Sequence, residues 1–340
     1  MKRFALFLII ILTISCGGFH SDKRACTSGI DTLLQSKTDS ILLVFMSGNP
    51  DCNGAIVSIA ESDCGKIRAH SSVIKNWRSG ELIDTLDLSD NFATMPGVVF
   101  HPATLAHMME KHSVKFDQSI PTNHGWINVD ILPKSEVIRD YEEETGKDSI
   151  TVKEAFIREY NYLPYYLANE HLSTKEKYYD YARDLNSYFG YKSGDKNWIR
   201  QYGADGTPTL MRLTIASGHS IWLSHQQILR FYALISNHGM REKNRILSQS
   251  TADSLSVLLC ENGFPIPGEL GYGEDARIPI AGIGTIREGQ RMKEHSFAGF
   301  YPADNPQYAI VVTLLDKTNA VGREDVLKLA EQIANIKETK

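Results

Sequence analysis

Serine followed three residues later by lysine sets a nucleophile and a base one helical turn apart. The chain spells this pair twice, at Ser72/Lys75 and at Ser193/Lys196. A Ser-Asp-Asn triplet at 89–91 and Lys317-Thr318-Asn319 add groups able to shuttle protons or hold an anion. Patterns this short arise by chance in 340 residues and need a structural context before they mean chemistry. Among the histidines, His101 and His112 are eleven residues apart and share a helix face, but at about 16 Å they cannot share an ion. His107 points elsewhere, so neither a metal nor a cofactor is expected. His101, His124 and Glu159 have the chemistry for acid–base work, and equally for filling an inert polar cleft.

The elements that would position these groups can be read from local patterns. A short helical piece is expected at Ile30 to Gln35 and a strand at Ser40 to Met46. Gly54 to Ala60 and Lys66 to His70 form a hairpin around the Cys64-Gly65 turn. Phe100 to His112 reads as a helix, residues 140–190 as mostly helical, and Leu223 to Ser236 as an amphipathic helix stopped by Asn237-His238-Gly239. Strands are expected at Ile278 to Ile286, Phe297 to Tyr301 and Tyr308 to Leu315, and a final helix at Glu324 to Ile336. Strands at both ends of the chain around a helical middle predict one α/β (α+β) domain, spanning 28–338, whose sheet draws on both ends. The tyrosine-rich stretch around Tyr160, Tyr162, Tyr165, Tyr166, Tyr178, Tyr179 and Tyr181 is expected to pack that middle.

Composition bounds the partners. With 42% hydrophobic and 23% charged residues the chain is globular, and its net charge of −5 leaves no basic footprint for nucleic acid. Lys2 and Arg3 precede an apolar run from Phe4 to Ile14, too short to span a bilayer, which takes about 20 residues. It reads as a signal peptide over 1–15. Leu12 to Cys16, followed by Gly17-Gly18, resembles a bacterial lipoprotein signal. That resemblance implies cleavage before Cys16, lipidation of its thiol, and a polar tether over 16–27. The protein would then be held on a membrane of the cell envelope. Gly17, in place of the aspartate that retains many such proteins at the inner membrane, favours the outer one. Of the other four cysteines, Cys52 and Cys64 lie at opposite ends of a strand, beyond the reach of about 7 Å that a disulfide requires. Any two-bridge scheme must therefore join Cys26 to Cys52 or Cys64, with Cys260 taking the other; free thiols are the alternative.

Seven blocks in order give the chain a family likeness. They are Ile30 to Gln35; Gly54 to Val57 with Cys64 to Ala69; Asn91 to Ala93 with Met95 to Pro102; Gly218 to Ser220 with Leu223 to Gln227; Ile235 to Gly239; Ala281 to Thr285; and Phe297 to Pro306. Together they resemble the transpeptidase domain of penicillin-binding proteins. The resemblance implies an antiparallel sheet flanked by helices, with an inserted helical subdomain, as in β-lactamases. In that family a serine at a helix N-terminus is acylated, a lysine one turn on takes its proton, and Ser-x-Asn and Lys-Thr-Gly elements complete the site.

On this alignment the serine position is Val98, which has no lone pair to offer, and the lysine position is His101. Ser-x-Asn falls on Glu159-Tyr160-Asn161, and Lys-Thr-Gly on Ile283-Gly284-Thr285, with the cation lost. Ser72/Lys75, Ser193/Lys196 and Lys317-Thr318-Asn319 lie away from these blocks, and Asn91 of the triplet already belongs to the block upstream of Val98. The expectation is a pseudoenzyme that binds or scaffolds in peptidoglycan biology, with His101, His124, Asn161, Gly284 and Thr285 lining a vestigial cleft. A peptidoglycan peptide or an envelope protein would be its partner. The competing readings are a D,D-transpeptidase or carboxypeptidase with a non-standard nucleophile, and a sensor that holds a cell-wall fragment or β-lactam without acylation.

Overall fold

The computed structural model of the chain describes residues 29–75, 81–84, 93–122, 126–127, 138–139, 148–191, 209–262, 280–288, 293–318 and 320–336. The chain enters through helix α1, Thr32–Gly48. Asp31 caps it, its carboxylate accepting from the Leu33 and Leu34 amides at 3.1 and 3.0 Å. Leu34, Thr38, Leu42 and Met46, spaced by four, form its buried face. This replaces the expected short helix and strand over 30–46. The apolar run Ile41 to Phe45 has no period of its own, and the spacing of four across the whole segment decides for helix.

The strands β1 (Cys52–Glu61), β2 (Ile67–Lys75) and β3 (Leu82–Asp84) follow. Near the other end come β4 (Ala281–Glu288), β5 (Lys293–Tyr301) and β6 (Tyr308–Asp316), then a terminal helix, Arg323–Ala334. They join in one antiparallel sheet of order β4-β5-β6-β1-β2-β3, with the first strand and the last pairing from Cys52↔Asp316 to Glu61↔Tyr308. The sheet thus uses both chain ends, as the patterns predicted.

Two apolar layers cover the sheet. On one face α1 and the terminal helix close over Ala55, Val57, Ile59, Val312 and Leu314. On the other face lies the helical half: α2 (His101–His112), α3 (Val152–Ile157), α4 (Tyr162–His171), α5 (Lys175–Phe189), α6 (Thr209–Ala216), α7 (His225–Ser236) and α8 (Gln249–Asn262). The terminal helix is therefore α9. The tyrosines at 160, 162, 165, 178 and 181 are buried in this second layer, while Tyr179 is exposed.

Helix α7 begins in a reciprocal cap: Gln227 N–H donates to the Ser224 hydroxyl at 3.3 Å and Gln227 Oε1 accepts from Ser224 N–H at 2.9 Å. Its first residue, His225, joins a buried polar thread across the sheet. The Ser58 hydroxyl lies 2.7 Å from His70 Nδ1 and 3.1 Å from His225 Nδ1, and His225 Nε2 lies 2.9 Å from Thr313 Oγ1. Thr313 in turn meets Ser296 at 2.9 Å. Burial pulls the His225 pKa down to about 3, so the ring is neutral.

Of the cysteine alternatives, the two-bridge scheme does not form and free thiols are present. Cys64 is in a disulfide whose partner lies outside the described residues. Cys52 and Cys260 are both thiols. Cys52 points into the sheet, its Sγ 3.6 Å from the Leu315 carbonyl, and burial raises its pKa. Cys16 and Cys26, with the signal and tether segments, lie outside the described residues. Among the described residues no helix is long and apolar enough to cross a membrane.

Candidate functional site

A sharp backbone corner starts the site. Gly97 has φ +51° and opens a 3-10 turn, Gly97–Phe100, that runs directly into α2. Its N–H donates to the Gly218 carbonyl at 3.1 Å. Gly218 (φ +79°) approaches so closely that a Cβ there would sit 2.4 Å from the Gly97 carbonyl oxygen. The turn is therefore held by backbone against the end of α6. The Tyr232 hydroxyl on α7 donates to the Val99 carbonyl at 2.9 Å. Thr104 fixes α2 further, donating to the Ala216 carbonyl at 2.6 Å and meeting the Tyr181 hydroxyl at 2.7 Å.

Val98 stands in this turn, just before the helix N-terminus, half-buried against the helical-side core. His101 follows one turn later as the first residue of α2, only 2% exposed. Burial, and secondarily the charge of a nearby His219, push its pKa down to about 3. Asn161 and the Ser217 backbone face the ring and favour its charged form, but burial outweighs them. The imidazole is neutral at physiological pH. Asn161, at the start of α4, is thereby brought to His101.

Glu159 holds φ at +58°, a left-handed conformation that costs a residue with a Cβ about 1 kcal/mol. Its carboxylate receives both arms of the Arg323 guanidinium, one at 2.9 Å. Arg323 opens α9, and its Nε lies 3.8 Å from the point a Cβ on Gly284 would occupy. Strand β4 runs against the Val98 turn. Ile283 on that strand is buried in the helical-side core. Arg323 on α9 thus brings a cation beside strand β4, already engaged by the Glu159 carboxylate.

Sequence reasoning missed Arg323, which reads only as the first residue of a helix. It missed His219 as well, which sits inside a block but carries no motif of its own. His124 lies outside the described residues, as do Ser193, Lys196 and the 89–91 triplet. Thr285 pairs with Ser296 across the β4–β5 ladder. Ser72 and Lys75 occupy strand β2, where residues three apart point to opposite faces. Thr318 closes a turn on Asp316 through its N–H and hydroxyl, at 2.8 and 3.2 Å. None of the decoys within the described residues forms a catalytic pair.

Comparison with known proteins agrees with this geometry. The family described as penicillin binding protein transpeptidase domain matches residues 58–261, more than half of the chain. No curated protein sequence matches it. Among solved structures, the transpeptidase domain of the FtsI4 D,D-transpeptidase from Legionella pneumophila superposes with a TM-score of 0.64 at 17% identity, covering 92% of this chain and 98% of that one. Penicillin-binding protein 2B from Streptococcus pneumoniae (strain R6) gives 0.70 at 17% identity, with 90% of this chain covering 58% of that one. The fold, the order of its blocks and the family match lead to one conclusion: the chain belongs to the penicillin-binding protein transpeptidase domain family.

Proposed function

We propose that the protein is an exported, lipid-anchored member of this family that does not acylate, and that it binds or scaffolds in the cell envelope. Val98 carries the reading. It occupies the turn before the α2 N-terminus, where a hydroxyl would be activated, and its side chain has neither a lone pair nor a transferable proton. His101 beside it is buried and neutral, so it holds no charge with which to stabilise a nucleophilic anion. Glu159 and Arg323 neutralise each other where the other polar elements of an acyl-transfer site would act. A remodelled cleft of this kind suits a non-covalent partner, a peptidoglycan peptide or an envelope protein, better than an acyl donor.

Labelling with a fluorescent penicillin tests the reading. The expected outcome is no covalent adduct after denaturing electrophoresis; a stable adduct on any serine refutes it. The paired substitution Val98→Ser with His101→Lys is expected to remain unlabelled while Arg323 stays engaged by Glu159. Calorimetry with a soluble peptidoglycan fragment then separates a ligand-binding protein from a scaffold.

A further inference from the structure

We propose that the outward face of α1 lies on the lipid surface to which Cys16 tethers the chain, an inference that rests on the anchor reading above. Eight large hydrophobic side chains are exposed among the described residues, and four of them, Ile30, Leu33, Leu43 and Val44, fall at the start of the chain. Val44 is the most exposed of all, at 74%. Leu33 and Val44 are eleven residues apart, about three helical turns, and so lie on one side of α1. The other exposed residues of α1 are Thr32, Ser36, Ser40, Ser47 and Gly48. Ser40 donates its hydroxyl to the Ser36 carbonyl and Ser47 to the Leu43 carbonyl, both at 2.8 Å. These hydroxyls are spent on the helix's own backbone, which leaves the face apolar in effect.

One charge lies on this face: Lys37, four residues after Leu33 and seven before Val44, is half-buried, while Asp39, the other charged residue of α1, lies to the side. Asp39 is held by Gln35 Nε2 at 2.7 Å, and Asp31, the cap, by Arg68. The opposite face of α1 packs on the sheet. Apolar side chains around a single lysine fit the headgroup–acyl boundary of a bilayer, where the Lys37 stem lies among apolar groups and its ammonium reaches the headgroups.

The tether decides for lipid over other occupants. The thirteen residue steps from Cys16 to Gly29 span about 45 Å at most, which puts α1 within that distance of the anchor. A short tether holds its patch at an effective concentration in the millimolar range, enough for a contact too weak to recruit a free chain. With α1 against the membrane, the helical half on the other face of the sheet, with Val98 and His101, is turned away from the lipid.

The test uses the lipidated full chain on phosphatidylethanolamine–phosphatidylglycerol vesicles. Intact mass first reports whether Cys16 is acylated. Spin labels are then placed by Val44→Cys, and by Val257→Cys on α8 as a control, in a Cys260→Ser background; Cys52 is buried. The expected result is a several-fold rise in the ratio of oxygen to nickel-chelate accessibility at position 44, relative to unlipidated protein in buffer, and no change at 257. Equal behaviour at the two positions on vesicles overturns the docking. So does spin–spin broadening at 44, which would identify a second copy as the occupant. A missing acyl group on Cys16 sinks the anchor reading and the docking with it; an acylated chain with an exposed position 44 sinks the docking alone.

Discussion

His101 combines a position suited to chemistry with an environment that silences it. A histidine exchanging protons near neutrality is a common base. Here the ring is enclosed and its pKa lies at about 3, as does that of His225 in the thread across the sheet. In the unfolded chain both return to about 6.5. A group whose folded pKa is depressed in this way, when its charged form is the protonated one, contributes its full stability above pH 6.5. That contribution is lost as the pH falls toward the folded value, because the unfolded chain then binds more protons. His112, His171 and His295, lowered by burial as well, act in the same direction. The urea midpoint is therefore expected to fall between pH 7.5 and pH 5. Asp31 and Asp316, whose carboxyls are also lowered, keep their full contribution across this window and lose it only at more acid pH. His101→Gln is expected to flatten the slope in that window; an unchanged slope would mean that the ring is not held neutral.

At the scale of elements, the Val98 turn depends on two backbones touching. Gly218→Ala would place a methyl 2.4 Å from the Gly97 oxygen and force a left-handed φ on alanine, so either α6 or the turn must move. A loss of at least about 2 kcal/mol is expected, read as a lower urea midpoint. Alanine at Gly48, where nothing lies within 4 Å, serves as the control and is expected to leave the midpoint nearly unchanged. The blocks around this turn were legible because each is a short continuous run: Met95 to Pro102 leading into a helix, Gly218 to Ser220, and Leu223 to Gln227 at a helix start. The helix α1 was not, since a run of five apolar residues fits a strand or a helix until the flanking spacing of four is weighed. Arg323 was not legible either. Its partner Glu159 is 164 positions away, and nothing in either local sequence announces the pairing.

At the scale of the whole molecule, strands at both ends around a helical middle made the shared sheet readable, and its antiparallel arrangement came from the family likeness. The cysteine pairing was not readable, because it depends on which side chains point into the sheet. Cys52 does so and stays reduced, while Cys260 is exposed on α8. Thiol titration without a reductant is expected to find one equivalent in the native protein and a second only on denaturation. A count of zero in the denatured state would restore the two-bridge scheme.

The pairing of β1 with β6 also sets when the protein can fold. Cys52 and Leu315, in contact across that pair, are 263 positions apart, and β1 lies inside the sheet, with a neighbour on each side. A nascent or translocating chain can close the β1–β2 hairpin early, but the far side of β1 stays unpaired until nearly the whole sequence has emerged. Contacts this distant must meet the loop-closure entropy before they return any stability, which slows folding. A chain ending before Tyr308 would keep α1 and the hairpin yet expose an open, apolar strand edge along β1, the kind of surface that other chains add to. The arrangement that unites the two ends in one sheet thus makes completion of the chain the condition for its solubility.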